Sequence, residues 1–401
     1  MEVLFTPTSL RYSVHGDLIY TVRDLVKAND PVTYPDYRYI ADVYNGAELV
    51  ARLKAYPQPD SKIGVFEIGT ILRNYITPVL DPTANQFHAQ TLGSGEWNVS
   101  GTVIFGEEYG FTQFLNVSGT TGSLFFGHYN GRLLGIGTNL TAVAEFKSER
   151  PRITNIYRTT QNCFIPYLNQ SISNTVPVTV TLYDSGGGVI ATESHTETIP
   201  AVASLGILNI GIAGINEFMS PDSVTDQVAY YIVTLTSVLQ PAVSIRVNVL
   251  CEPKHTVYNL HFLNRWGGWE TQSFSKLSRK TIDIEKSEFG KLPYTLSAAG
   301  VPEYYNSNNV YNETRSVFAS QYKEKMALNT DFLTNSEYEW LADLVLSPMV
   351  FIEMEDDSSS VFHVPLIITE TNYEFKKSVN TKPNQLTINI EFGDQFAAQY
   401  R

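Results

Sequence analysis

A chain of 401 residues with 43% hydrophobic and 17% charged side chains is long enough for two to four domains and too apolar to be disordered. Its formal charge of −13 argues against sequence-specific or tight wrapping of nucleic acid, because an acidic surface repels phosphates, yet it suits the lining of a passage through which DNA slides. Two cysteines, Cys163 and Cys251, without CxxC spacing indicate neither a disulfide framework nor a zinc site, and buried free thiols are expected.

The start, MEVLFTPTSLRY, lacks the basic residues and continuous apolar run of a secretion signal, so synthesis in a cytoplasm is expected. In YRYIADVYNGAELVARLKAY (37–56), apolar and polar residues alternate on both sides of Asn45-Gly46, which predicts a β-hairpin. A second hairpin is predicted in VPVTVTLYDSGGGVIATES (176–194), with Asp184 to Gly188 as its turn. Further matches follow in the same order. GVFEIGTIL (64–72) parallels GILNIGIAG (206–214), and NVSGTVIFGEE (98–108) parallels SIRVNVLCEP (244–253). These pairs predict two copies of one sandwich-like unit, covering 1–147 and 148–256. The stretch 109–147, rich in Gly, Asn and Thr, reads as a long loop or hairpin excursion and a candidate partner-binding arm. AVASLGILNIGIAGI (201–215) is interrupted by Ser and Asn and too short to cross a bilayer, so no membrane insertion is expected.

Residues 257–401 read as a β-rich C-terminal domain with one helix, about 335–346. In TNSEYEWLADLVLSP (334–348), Tyr338, Leu341, Leu344 and Val345 share a face, Thr334 and Glu337 form a capping-box pattern, and Pro348 marks the stop. Strands follow in MVFIEM, VFHVPLII and LTINIEF, the last (386–392) with period-two alternation. The fold class expected is therefore mainly β: tandem immunoglobulin- or fibronectin-III-like sandwiches, then a β-rich domain with one short helix.

No catalytic, cofactor or metal signature is present. GxSxG, HExxH, Walker and EF-hand patterns are missing, and GIGTNL (135–140) lacks the last glycine of a dinucleotide fingerprint. The histidines are scattered; His255 and His261, the closest to a pair, fit neither a helix face nor adjacent strand positions. Glu107 and Glu108 are adjacent on a strand and point to opposite faces, so they do not share a proton. Glu353, Glu355, Asp356 and Asp357 fall at a predicted hairpin turn, read as a solvated acidic turn rather than a calcium site. No enzyme activity is expected.

HFLNRWGGWETQSF (261–274) is the one concentrated motif. Gly267 and Gly268 permit a sharp bend, and Phe262, Asn264, Trp266 and Trp269 flank it. Two indole faces would suit a sugar ring, but the surrounding alternation favours packing or an interface, with each indole N–H needing a partner.

Several of these stretches resemble a family of virion proteins from tailed phages of Bacteroidetes, including the crAss-like phages. The resembling residues are 37–76 (YRYIADVYNGAELVARLKAYPQPDSKIGVFEIGTILRNYI), IFGEEYG, SERPRI, HFLNRWGGWETQSF, LTNSEYEWLADLVLSPMVFIE and VPLIIT. SERPRI departs from the family pattern, which is closer to Leu-Thr-Asn-Arg-Pro. The resemblance implies a tail or neck component of the virion, made in the host cytoplasm and assembled into a closed twelve- or six-fold ring with other tail and portal proteins. Ring assembly requires a heterologous contact repeated around an axis. The alternative expectation is a receptor- or glycan-binding head-fibre or tail-tip protein.

Overall fold

The computed structural model describes all residues except 7–11, 14–17, 84, 111, 116–122, 129–144, 169–174, 199–204, 221–222, 237–240, 306–307, 356–360, 370–383, 394–398 and 401. The chain forms two compact units. The first comprises Met1–Pro253, His261–Ser273 and Glu339–Pro348; the second comprises Lys254–Leu260, Phe274–Tyr338 and Met349–Arg401. Both expected sandwiches lie in the first unit, which also takes in two segments of the expected C-terminal domain.

Alternation and the Asn45-Gly46 turn produce the first hairpin, with Gly46 at φ 60°. Strands β1 (Glu2–Phe5), β3 (Ile19–Arg23) and β6 (Ile63–Glu67) make one sheet in the order β1-β3-β6. The facing sheet has the order β2-β10-β8-β4-β5, from β2 (Tyr12–Ser13), β4 (Arg38–Asn45), β5 (Glu48–Ala55), β8 (Asn98–Tyr109) and β10 (Ser123–His128). The short β9 (Thr112–Leu115) extends it beside β8.

The second sandwich repeats this arrangement strand for strand. One sheet runs β11-β13-β16, from β11 (Glu145–Phe146), β13 (Phe164–Leu168) and β16 (Leu205–Asn209). The other runs β12-β18-β17-β14-β15, from β12 (Ile153–Tyr157), β14 (Thr175–Tyr183), β15 (Val189–Thr198), β17 (Tyr230–Leu235) and β18 (Val243–Leu250). In both copies the second strand pairs parallel with the last, β2 with β10 and β12 with β18. A short helix follows the equivalent strands β6 and β16: α1 (Gly69–Leu72) and α2 (Ile212–Phe218). The two repeats are thus β-sandwiches of immunoglobulin type.

Two of the three matched sequence pairs fall on equivalent elements. The third is displaced by one strand. Residues 98–108 were matched with 244–253, but β8 pairs directly with the hairpin strand β4, as β17 and not β18 pairs with β14. The stretch 109–147 also differs from its expectation, since β9 and β10 are strands of the first sandwich. Its remaining claim as an arm falls on 111, 116–122 and 129–144, outside the described residues.

One strand crosses between repeats. β7 (His88–Leu92) leaves the first sandwich between α1 and β8 and pairs antiparallel with β16, closing the edge of the second. Phe87 beside it enters the second core with Val178, Val180, Leu182, Ile215 and Phe218. That exchange of a strand and a core side chain explains why two sandwiches behave as one unit.

The strand β19 (Tyr258–Leu263), in which the boundary between units falls, is followed by β20 (Trp269–Phe274). In the second unit, five strands run β25-β26-β27-β24-β21. They are β21 (Arg279–Gly290), β24 (Arg315–Asn329), β25 (Val350–Glu355), β26 (Val361–Ile368) and β27 (Thr387–Phe392). Ile388 and Ile390 are buried while Thr387 and Asn389 are exposed, as alternation requires. β28 (Gln399–Tyr400) pairs with β24, and β22 (Thr295–Leu296) with β23 (Pro302–Glu303). The helical segment divides at Leu341 into α3 (Asn335–Trp340) and α4 (Ala342–Leu346). Its capping box is made: Glu337 N–H donates to Thr334 Oγ1 at 3.2 Å and Thr334 N–H to Glu337 Oε2 at 2.8 Å.

Candidate functional site

The Trp-Gly-Gly-Trp stretch is the turn between β19 and β20. Asn264 N–H donates to the Gly268 carbonyl at 2.9 Å, Gly267 N–H to the Asn264 carbonyl at 3.0 Å, and Gly267 takes φ 77°. That positive φ is why glycine stands at 267. Asn264 holds the turn from within. Its Oδ1 accepts the N–H of Trp266 (2.9 Å) and of Gly268 (3.1 Å), and its Nδ2 donates to the Lys147 carbonyl (2.8 Å) and to Glu270 Oε1. Gly268 is required for contact: a Cβ there would stand 2.3 Å from Pro166 Cβ and 2.9 Å from Leu205 Cδ2. The hairpin therefore lies on the outer face of the β13–β16 pair. Thr271 Oγ1 completes the seam, accepting Phe164 N–H at 2.8 Å and hydrogen-bonding His261 Nδ1 at 2.8 Å.

All four tryptophans of the chain converge here. Trp269 is fully buried and its Nε1 donates to the Val79 carbonyl at 2.9 Å. Trp97, equally buried, donates to the Trp266 carbonyl at 2.8 Å. Trp340 donates to Glu270 Oε2 at 2.5 Å and packs beside Phe262, with ring centroids 5.7 Å apart. Trp266 is half-buried, with the Lys147 ammonium 5.0 Å from its ring centroid. The turn thus clamps the connection that carries β7 from the first repeat, the outer face of the second repeat, and, through Trp340 and Asp343, the end of α3 and α4.

A charged network sits beneath. Burial pushes the Glu270 carboxyl up to about 7, with donation from Asn264 and Ser148 and the charge of Arg150 acting the other way and Asp343 reinforcing the rise. Arg150 is buried, donates to Thr154 Oγ1 and Cys163 Sγ at 3.2 Å each, and lies 4.6 Å from the Trp340 ring centroid. Arg265 forks onto Asp343 through Nε (2.9 Å) and NH2 (2.7 Å). Burial works against the Arg265 charge, but Asp343 outweighs it and raises its pKa. A carboxyl poised near neutrality resembles a general acid, yet both Glu270 oxygens are occupied by Asn264 and Trp340 and the side chain has no solvent exposure. This arrangement holds elements together. Trp266 and Trp269 do not form a sugar platform, since no face of Trp269 is open.

The other candidates are resolved individually. Glu107 accepts from Lys27 and, at 3.0 Å, from Tyr37, whereas Glu108 on the opposite face accepts from Lys54 at 2.7 Å. GIGTNL and the pair Asp356-Asp357 lie outside the described residues. Cys163 is buried as expected, but Cys251 is exposed, because it follows the end of β18 and leaves the core. Sequence reading passed over Trp97, Arg150, Glu270, Trp340 and Asp343. One signal was there: D-S-G-G-G at 184–188 and N-R-W-G-G at 264–268 share an Asx residue three and four places before two glycines.

Among the described residues, no helix is long and apolar enough to cross a membrane. No protein-family model and no curated protein matches the chain. Among solved structures, the chain is similar to the crystal structure of Dpr2 Ig1-Ig2 in complex with DIP-Theta Ig1-Ig3, at 6% identity, covering 82% of this chain and 94% of that one, with a TM-score of 0.20. The immunoglobulin-like character of the repeats rests on their strand order.

Proposed function

We propose that this chain is a non-enzymatic structural component of a tailed-phage virion, a ring-forming tail or neck protein near the portal that assembles with other tail proteins around the DNA passage. The observation that carries this reading is the distribution of aromatic and apolar side chains. All four tryptophans are consumed in packing one unit, while exposed apolar residues gather on a two-stranded ribbon of the other. An exposed apolar ribbon is the kind of surface that assembly by repeated contact needs. The resemblance of several stretches to phage virion proteins and the acidic balance support it. Quantitative mass spectrometry of purified particles tests the proposal. A ratio to the portal protein fixed at one or one half is expected for a twelve- or six-fold ring, and absence from intact particles would sink it.

A further inference from the structure

The two repeats differ in what covers one face. In the second, the outer face of β13–β16 is sealed by the hairpin 261–273, and Ile207 is 1% exposed. Gly64-Val65 in β6 corresponds to Gly206-Ile207 in β16, and the cross-strand partners are Thr21 and Pro166. In the first repeat this face is bare. Val65 is 41% exposed and Phe5, which lies beyond Thr21 across the sheet, is 49% exposed. No hairpin covers them among the described residues.

The second unit supplies a hairpin with one fully exposed strand. From 279 to 329, β21 and β24 form a ribbon closed by a tip at 291–314, and every residue of β21 is exposed. Beyond Lys325 towards the tip, β24 pairs, among the described residues, only with β21 and, at Ala319 and Ser320, with β28. A two-stranded ribbon is marginal in water by itself. This one nevertheless exposes Ile282, Ile284, Phe318 and Tyr311. Its charge is also distinct. Residues 279–329 hold seven Lys and Arg against six Asp and Glu, so the rest of the chain carries −14 of the total −13. An arm of charge +1 is not repelled by the acidic remainder of another copy.

We infer that the arm 279–329 of one copy docks on the bare β1-β3-β6 face of the next copy, covering Phe5 and Val65 as the hairpin 261–273 covers Ile207 within the chain. The contact is heterologous, arm to face, and so propagates around a ring; it deepens the assembly reading above and rests on it for biological setting.

Sedimentation of the full chain across a concentration series, with Val65→Glu and Ile284→Glu variants, tests the contact. Concentration-dependent self-association is expected, weakened at least tenfold by either substitution and no further by both together. Unchanged melting curves for the variants verify their folds. A photo-crosslinking residue at Phe318, in mixed isotope-labelled and unlabelled protein, is expected to join that position to residues 1–75 of a different copy. A chain that stays monomeric up to its solubility limit, variants that associate normally, or cross-links elsewhere, including to added phage proteins only, would each overturn the inference. Particle stoichiometry of one or one half with a monomeric chain would leave the virion role standing and remove this contact. Absence from particles with self-association intact would do the reverse.

Discussion

The turns Asp184–Gly188 and Asn264–Gly268 are one backbone solution in two surroundings. In the first, Asp184 N–H reaches the Gly188 carbonyl at 2.9 Å, Asp184 Oδ1 accepts from Gly186 (2.8 Å) and Gly188 (2.7 Å), and Gly187 has φ 82°. Asn264 repeats each of these roles. Yet Ser185 to Gly188 lie exposed at a hairpin tip, whereas Gly267 to Trp269 are buried. Local turn chemistry follows from five residues; becoming a junction depends on what the flanking side chains meet. Here they are Trp266, Trp269 and Glu270, where the tip has Gly186, Val189 and Ile190.

Glycine substitutions should separate the two turns most widely. Gly268→Ala drives a methyl into the Pro166 ring and should cost about 3–4 kcal/mol. Gly188→Ala meets only the Asp184 carboxyl, its Oδ2 at 2.8 Å and Cγ at 3.3 Å, on an exposed turn where the side chain can shift, and should cost about 1 kcal/mol. Urea unfolding followed by tryptophan fluorescence reads this directly, since all four tryptophans belong to the first unit. Equal losses at the two positions would mean that the hairpin is not pressed on β13 and β16.

Exchanging the capping side chains comes next. Asp184→Asn keeps the accepting oxygen and should change stability by less than about 1 kcal/mol. Asn264→Asp replaces the donor that serves the Lys147 carbonyl and Glu270, and sets a second carboxyl against a buried one. A loss of about 2–3 kcal/mol is expected, larger at high pH. If Asn264→Asp proves as mild as its counterpart, the Asn264–Glu270 contact does not hold the junction.

The difference between the turns also marks where sequence was legible. Both hairpins and the capping box at Thr334 were readable, because alternation, Asn-Gly and an S/T-x-x-E pattern act within a few residues. The Trp-Gly-Gly-Trp stretch was readable as a packing motif. Its partners were not: Val79, Trp97, Lys147 and Trp340 come from four distant segments, and nothing in their own neighbourhoods announces a shared destination. β7 was hidden for a related reason. HAQTL has weak strand character and is ordered by the open edge of β16, a tertiary cause that propensity does not carry. In the 279–329 arm every residue of β21 is exposed, so the periodicity used to find strands has little to register in that strand.

The junction has a titration that the exposed turn lacks. Burial raises Glu270 from 4.5 to about 7, so the folded chain holds a proton there that the unfolded chain releases. Stability is therefore greatest below about 4.5 as far as this group is concerned, falls as pH rises towards 7, and is level beyond it. The change from this group should not exceed about 3 kcal/mol. Unfolding series at several pH values should show that slope, and Glu270→Gln should flatten it. A slope that survives the substitution would assign the proton uptake to another group.

The smallest effect is the one that should not depend on surroundings. Gly187 and Gly267 share a positive φ, and the intrinsic penalty for alanine there arises within the residue, from Cβ against its own backbone, at about 1 kcal/mol. At Gly187 the added Cβ meets only the Tyr230 hydroxyl at an ordinary 3.8 Å, so Gly187→Ala should lose that amount and little more. It serves as the unit against which burial is measured. Gly267→Ala carries the same backbone penalty at a buried position, and whatever it loses beyond Gly187→Ala is the energy of closeness in the junction. If the two losses agree within about 0.5 kcal/mol, position 267 is held only by its turn, and the clamp resides in Gly268 and the side chains of Asn264, Trp269 and Glu270.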